Sequence, residues 1–308
     1  MLFRSGFGEP IAVSAIQGLG ISSFLDNLLA DFGSPTDIES EHKDMYKVAI
    51  AGRPNVGKSS LINAIVNEDR MIVDNKAGTT RDAVDLYFVH QNNRYMFTDT
   101  AGMRRRGKID DSIEYYSFVR SQKSIKASDL TVVVLDAEDF LSDQDKKIIR
   151  FVLDTKKNLM VFVNKWDLIE DKDNYRKAIL KQAERIFPAL RYYPFIFGSA
   201  KERTQLGALF NQIPKIIEQS LVRISTSKMN QFVQEIVKRN PPPAKRGKVI
   251  NIYYATEVEV KPPTFLFFVN HPKLIDPTYT RFIENRMRQT FPQYKGVSFL
   301  IAFKKHRE

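Results

Sequence analysis

The 308-residue chain has no cysteine, one tryptophan and four histidines. The absence of cysteine rules out disulfides, thiolate metal sites and thiol nucleophiles. The four histidines, His42, His90, His271 and His306, lack metal-ligand spacing. No apolar run approaches the ~20 residues of a membrane span. Met1 to Pro10 lack the apolar core of an export signal, so a cytoplasmic protein is expected. Acidic residues are scarce in one place only. Residues 221–308 hold 16 Lys and Arg against 6 Asp and Glu, whereas residues 1–220 hold 31 against 30. The net charge of +11 therefore sits almost wholly in the last 88 residues. A small basic module implies a polyanion, nucleic acid above all; a basic surface kept for solubility is the plainer alternative.

What the chain does have is a Gly-rich turn in a telling place. Tyr46 to Ala51 read as a buried strand and Leu61 to Ile65 as helix; between them run Gly52-Arg53-Pro54-Asn55-Val56-Gly57-Lys58-Ser59-Ser60. Strand, G-x-x-x-x-G-K-S, helix is the context in which such a loop cradles phosphate. Backbone N–H groups and the helix N-terminus face the anion, Lys58 reaches the β- and γ-phosphates, and the Ser59 hydroxyl suits Mg²⁺.

Four further stretches follow in a fixed order. Gly78-Thr79-Thr80-Arg81-Asp82 lies in a polar loop, where Thr80 is the residue chosen to meet Mg²⁺ and the γ-phosphate. Asp99-Thr100-Ala101-Gly102 ends a strand; Asp99 would hold Mg²⁺ through water and the Gly102 N–H would meet the γ-phosphate. Asn164-Lys165-Trp166-Asp167 ends another strand. The Asp167 carboxylate accepts two hydrogen bonds from guanine, a pair that adenine lacks, which selects GTP. Ser199-Ala200-Lys201 would offer backbone N–H groups to the ring oxygen, and Trp166 is read as a packing residue.

Alternating patterns over 46–220 predict strands at 46–51, 83–90, 93–99, 130–136, 158–164 and 194–198. Helices are predicted at 58–66, 110–126, 142–154, 173–187 and 205–220. The expected class is α/β, a mostly parallel six-stranded sheet with helices on both faces and one hairpin through Gln91-Asn92 that supplies an antiparallel edge strand. Residues 221–308 predict α-β-β-α-β, with a helix from Met229 to Lys238, strands at 249–256 and 264–270, a helix from Pro277 to Thr290 and a strand at 297–303. That order makes a small α+β sandwich with both helices on one face of three strands.

The chain begins with an echo. Pro10 to Ala15, then Ile21 to Phe32, repeat the pattern of Pro194 to Ala200 and the helix after it: strand, Ser-Ala, loop, helix. Residues 1–33 are thus expected to be the remnant of a first domain of the same type, with no phosphate loop of its own, and 34–45 a linker.

Taken together, GRPNVGKSS, AGTTRD, DTAGMRRRG, NKWD and SA, with the C-terminal NPPPAKRGK, YYATEV and KPPTFLFFVN, resemble the bacterial Der (EngA) GTPases over about residues 40–308. The resemblance implies a P-loop GTPase domain at 46–220 and a basic KH-like domain at 221–308. It implies GTP and GDP as ligands, Mg²⁺ and K⁺ as cofactors, and a cytoplasmic, monomeric switch acting with the large ribosomal subunit and its rRNA. Asn55 matches the asparagine that helps hold K⁺ in potassium-dependent relatives; a residue that merely shapes the loop is the bland alternative. Lys58, Thr80, Gly102 and Asn55 are the expected catalytic set. Met103 stands where Ras-like enzymes carry glutamine, so intrinsic hydrolysis is expected to be slow and to need switch rearrangement, K⁺ or an activating partner protein. Arg104, Arg105, Arg106 and Lys108 form either a solvated charge run or a nucleotide-gated contact.

Residues 221–308 have only Gly247 and Gly296, so the Gly-x-x-Gly loop of an RNA-gripping KH domain is absent. The domain is expected either to dock on the GTPase domain or to bind RNA by another basic face, with Lys238, Arg239, Lys245, Arg246 and Lys248 as candidates. The rival readings are small-subunit maturation, tRNA modification, which the absence of a folate-binding or cysteine-bearing module argues against, and a non-hydrolysing RNA-binding scaffold.

Overall fold

The structure is a computed structural model that describes residues 45–67, 72–73, 85–98 and 121–306. The described residues from Tyr46 onward form one compact unit. The expected N-terminal remnant, the linker up to residue 44, and the stretches around Thr80 and Asp99–Lys108 lie outside the described residues.

The first sheet has the order β2-β3-β4-β1-β5-β6-β7. Its strands are β1 (Met45–Ala51), β2 (Ile72–Val73), β3 (Leu86–His90), β4 (Asn93–Thr98), β5 (Leu130–Asp136), β6 (Asn158–Asn164) and β7 (Phe195–Phe197). The β1–β5, β5–β6 and β6–β7 pairs are parallel. β3 and β4 form the expected hairpin, with Gln91 and Asn92 both at positive φ in the two-residue turn. The six expected strands are joined by a seventh: β2 pairs antiparallel with β3 and takes the edge that the hairpin was expected to hold. Two residues carry no period for sequence reading to find.

Burial explains the composition of the central strands. Every residue of β5 (LTVVVLD) and of β6 (NLMVFVN) is buried, as expected of parallel strands covered on both faces. Alternate β5 residues serve opposite layers. Leu130, Val132 and Val134 meet α1 (Lys58–Val66) and α4 (Leu206–Leu221), whereas Val133 and Leu135 meet α2 (Asp143–Asp154) and α3 (Lys172–Ile186). Ser142 caps α2 through a reciprocal capping box with Asp145.

The second sheet has the order β10-β9-β8, from β8 (Ile252–Val260), β9 (Pro263–Val269) and β10 (Leu300–Lys305). β8 and β9 are antiparallel and β9 and β10 parallel. α5 (Thr226–Arg239) and α6 (Pro277–Thr290) cover one face. α6 has the predicted bounds, set by Pro277 in its first turn and by the Asp276 cap.

The α1–α4 layer runs without a break into the core of the second sheet, through Ile224, Met229, Phe265, Tyr294 and Phe299. Polar contacts reinforce this junction. The Ser298 N–H donates to Asn158 Oδ1 at 3.0 Å, and the Ser298 hydroxyl donates to the Lys157 carbonyl at 2.7 Å. Tyr193 Oη lies 2.8 Å from Ser298 Oγ, and Tyr192 donates to Asn285. Arg288 is buried, donates to the carbonyls of Tyr294 and Val297 at 2.7 and 2.8 Å, and ion-pairs with Glu284 at 3.1 Å. Its guanidinium also faces the rings of Tyr192, Tyr193 and Phe299.

Candidate nucleotide site

The phosphate loop links β1 to α1 and depends on two glycines for different reasons. A Cβ on Gly52 would stand 2.6 Å from the Val134 carbonyl, so β5 allows no side chain there. Gly57 sits at φ +96°, and a Cβ there would fall 2.1 Å from Asn164 Nδ2. Asn55 takes a left-handed φ of 65°, which asparagine tolerates, and is exposed at the loop's rim. Val56 is buried beneath the loop; Ser59 is half-buried and Ser60 exposed on α1.

Asn164 joins the parts. Its Nδ2 donates to the Val56 carbonyl at 2.8 Å, and its Oδ1 accepts the Ala200 N–H at 2.9 Å. One buried amide thereby ties the phosphate loop, the end of β6 and the loop after β7. Lys165, at φ 64°, is held by an ion pair to Asp136 at the end of β5. Trp166 packs on Phe197, as read from sequence. Asp167 lies in the turn that follows, and its Oδ1 is buried with no hydrogen-bond partner among the described residues. An acceptor left unpaired in that position fits a ring that donates hydrogen bonds.

The Ser199-Ala200-Lys201 run differs from expectation. The Ser199 N–H goes to Thr204 Oγ1 and the Ala200 N–H to Asn164, so two of the three donors are already engaged. Among the described residues only the Lys201 N–H of that run has no partner. The cause is the tight Ser199–Thr204 bridge, which turns the first donor inward.

Lys58 donates to the Arg53 carbonyl at 2.7 Å and so lies back along the loop. Burial pushes its ammonium down to about 8, opposed by Asp145 and helped by Arg53. Arg53 in turn is held by Asp139 at 2.7 Å and by the buried Asp145 at 3.4 Å. Burial holds the Asp145 carboxyl above the usual carboxylate range, against the Ser142 and Arg53 contacts. Sequence reading missed this brace and the Asp136 brace. Asp136 ends a buried strand and Asp145 occupies the third position of a capping box, and both are signals a sequence carries.

Of the expected site residues, Gly52, Asn55, Val56, Gly57, Lys58, Ser59, Ser60, Asn164, Lys165, Asp167, Ser199, Ala200 and Lys201 gather at the ends of β1, β6 and β7. Thr80, Asp99, Thr100, Ala101 and Gly102 lie outside the described residues. Lys238, Arg239, Lys245, Arg246 and Lys248 are all exposed on the second sheet's side, with Lys245 paired to Asp276. Among the described residues no helix is long and apolar enough to cross a membrane, and no three acidic or histidine side chains form a metal cluster.

Residues 47–165 match a family described as 50S ribosome-binding GTPase. Residues 223–304 match one described as KH-domain-like of EngA bacterial GTPase enzymes, C-terminal. A protein named GTPase Der from Desulfitobacterium hafniense is 41% identical over 290 residues, which are 94% of this chain and 65% of that protein. GTPase Der of Listeria welshimeri is 41% identical over 306 residues, 99% of this chain and 70% of that one. GTPase Der of a Geobacillus species is 44% identical over 289 residues, 94% and 66% respectively. The chain thus spans about two thirds of the length of these curated relatives.

Proposed function

The chain belongs to the Der family of GTPases, and from that premise we propose that it binds GTP and hydrolyses it to GDP and phosphate, as a switch in ribosome assembly. The observation that carries the reading is the unpaired Oδ1 of Asp167, held by the turn after Asn164, whose side chain reaches the phosphate loop. Guanine offers a ring N–H and an amino group to one carboxylate; adenine would leave that buried acceptor unpaired.

In this reading Asp167 and the Lys201 N–H hold the base, while Gly57, Lys58 and the N–H groups of the loop hold the phosphates. Lys58 exchanges the Arg53 carbonyl for the β- and γ-phosphate oxygens and neutralises charge as water attacks the γ-phosphorus. Ser59, Thr80 and Asp99 are hard oxygen donors suited to Mg²⁺, which supplies further charge neutralisation when bound. The side-chain oxygen of Asn55, exposed at the loop's rim, is of the type that suits K⁺. The Gly102 N–H and Thr80 would sense the γ-phosphate and alter how the basic second sheet meets its partner. We assign that partner to the large ribosomal subunit and its rRNA, with the protein acting as a cytoplasmic monomer aided by an activating partner. The family description of residues 47–165 and the basic C-terminal third support this assignment.

The test is Lys58→Ala, with phosphate release and co-sedimentation with 50S subunits measured together. Hydrolysis is expected to fall by about 10²–10³-fold, the usual cost of one preorganised charge-stabilising donor. Nucleotide-dependent co-sedimentation is expected to vanish. Unchanged turnover would leave a non-hydrolysing RNA-binding scaffold as the reading. In the same assay Na⁺ in place of K⁺ is expected to slow the wild type; equal rates remove Asn55 from its K⁺ role.

A further inference from the structure

The two ends of the second sheet are built differently. The end formed by the β8–β9 turn and by the entry to β10 is the attached one, where Lys261 lies 3.9 Å from Asp129 and Ser298 bonds Asn158 and Lys157. Because β10 runs parallel to β9, its last residues arrive at the opposite end. Four rings collect there. Tyr254 stacks on Phe268 with centroids 4.4 Å apart and planes 16° apart. The His306 ring stands edge-on to Tyr254 at 5.6 Å and meets Tyr253 at 4.7 Å. Tyr253 is 47% exposed.

This end is also basic. Lys304 is in register with Phe268, and both Lys304 and Lys305 are exposed. Lys245 and Lys248 pair across a two-residue turn whose Arg246 and Gly247 have φ of 53° and 69°. Asn270 pins that turn to the sheet end, donating to the Val249 carbonyl and accepting the Asn251 N–H. Arg246, Lys248, Lys304 and Lys305 have no acidic partner among the described residues.

We propose that this sheet end is a stacking platform for single-stranded RNA. The proposal rests on the RNA-associated reading above and names the surface that serves it. Open ring faces take unpaired bases regardless of sequence, and cations without carboxylate partners take the phosphates between them. A duplex hides its base faces and would use only the cations. The platform lies at the far end from the junction, so RNA would reach it with the two sheets locked together.

Fluorescence anisotropy of the full chain with a labelled twelve-nucleotide oligouridylate and with a duplex RNA of equal length tests it. Tyr253→Ala is expected to weaken single-strand binding about 10-fold, from loss of one base stack. Tyr253→Phe is expected to restore it, and duplex binding is expected to stay as it was. Lys304→Gln with Lys305→Gln is expected to lower the slope of log affinity against log salt by about 1.4, at ~0.7 per phosphate contact. If the wild type binds oligouridylate and Tyr253→Ala and His306→Ala bind it equally well, the platform is wrong and the RNA-associated reading stands. A wild type that binds neither RNA overturns both. Tyr253 is half-exposed, so its replacement tests binding rather than folding.

Discussion

Two regions of this molecule are each tied by one buried polar side chain, Asn164 at the nucleotide site and Arg288 at the junction between the sheets. Around Arg288 the groups are matched: two carbonyls, a carboxylate and three rings meet one guanidinium. Around Asn164 they are left open, with a carboxylate oxygen on Asp167 unpaired and the Lys58 ammonium held by a backbone carbonyl. The junction has its partners within the chain. On the proposed reading, the site's open groups are met by the nucleotide, and until it binds they bear their desolvation.

That contrast can be broken most easily at Arg288. Arg288→Ala leaves the buried Val297 carbonyl without a donor, leaves the Tyr294 carbonyl only the long Val297 N–H bond at 3.4 Å, and strips the contact from three rings, so unfolding free energy is expected to fall by about 3–5 kcal/mol in urea melts. Arg288→Lys should recover only part, because an ammonium lacks the planar fork. Nucleotide affinity of the molecules still folded should not change; a parallel loss would mean that junction and site are one structure.

Asp167→Ala should do the reverse. The ratio of GTP to ATP affinity is expected to drop by about 2–4 kcal/mol in competition binding, one or two hydrogen bonds to a charged group. Thermal stability should hold or rise slightly, since a buried unpaired oxygen is removed. A clear loss of stability would show that Asp167 has a structural partner and is not a waiting acceptor. The smallest effect belongs to Ser298→Ala. It keeps the N–H bond to Asn158 but loses the hydroxyl's contacts with Lys157 and Tyr193, for about 1–2 kcal/mol by the same melts.

The same two regions differ in how far they could be read from sequence. The gathering of the candidate site's parts was legible because each part is local: glycines at a strand–helix turn, and Asn-Lys-x-Asp at the end of an apolar run. The central strands β5 and β6 were legible because burial on both faces leaves unbroken apolar runs. The junction was not, because Ser298 and Arg288 bond across the fold to Asn158, Lys157 and the Tyr192–Tyr193 turn, contacts that leave no period. Strand ends failed for the same reason. The last strand was expected from Val297 but begins at Leu300, since Val297 spends its carbonyl on Arg288. β8 was expected from Val249 but begins at Ile252, since the Asn270 side chain holds Val249 and Asn251 in place of a neighbouring strand. The engaged Ala200 N–H was likewise invisible, because its acceptor is a side chain on another strand.

The contact between Gly57 and Asn164 has a consequence for how such a chain can vary. The amide occupies the space where any side chain at 57 would begin, so the two positions do not accept change independently. Replacing Gly57 alone drives an atom into the amide; replacing Asn164 alone releases both the Val56 carbonyl and the Ala200 N–H. Altering Asn164 first would clear the space at 57 but not the strain that a side chain meets at φ +96°. Either first step is costly, so the two residues hold each other in place along any path of single changes.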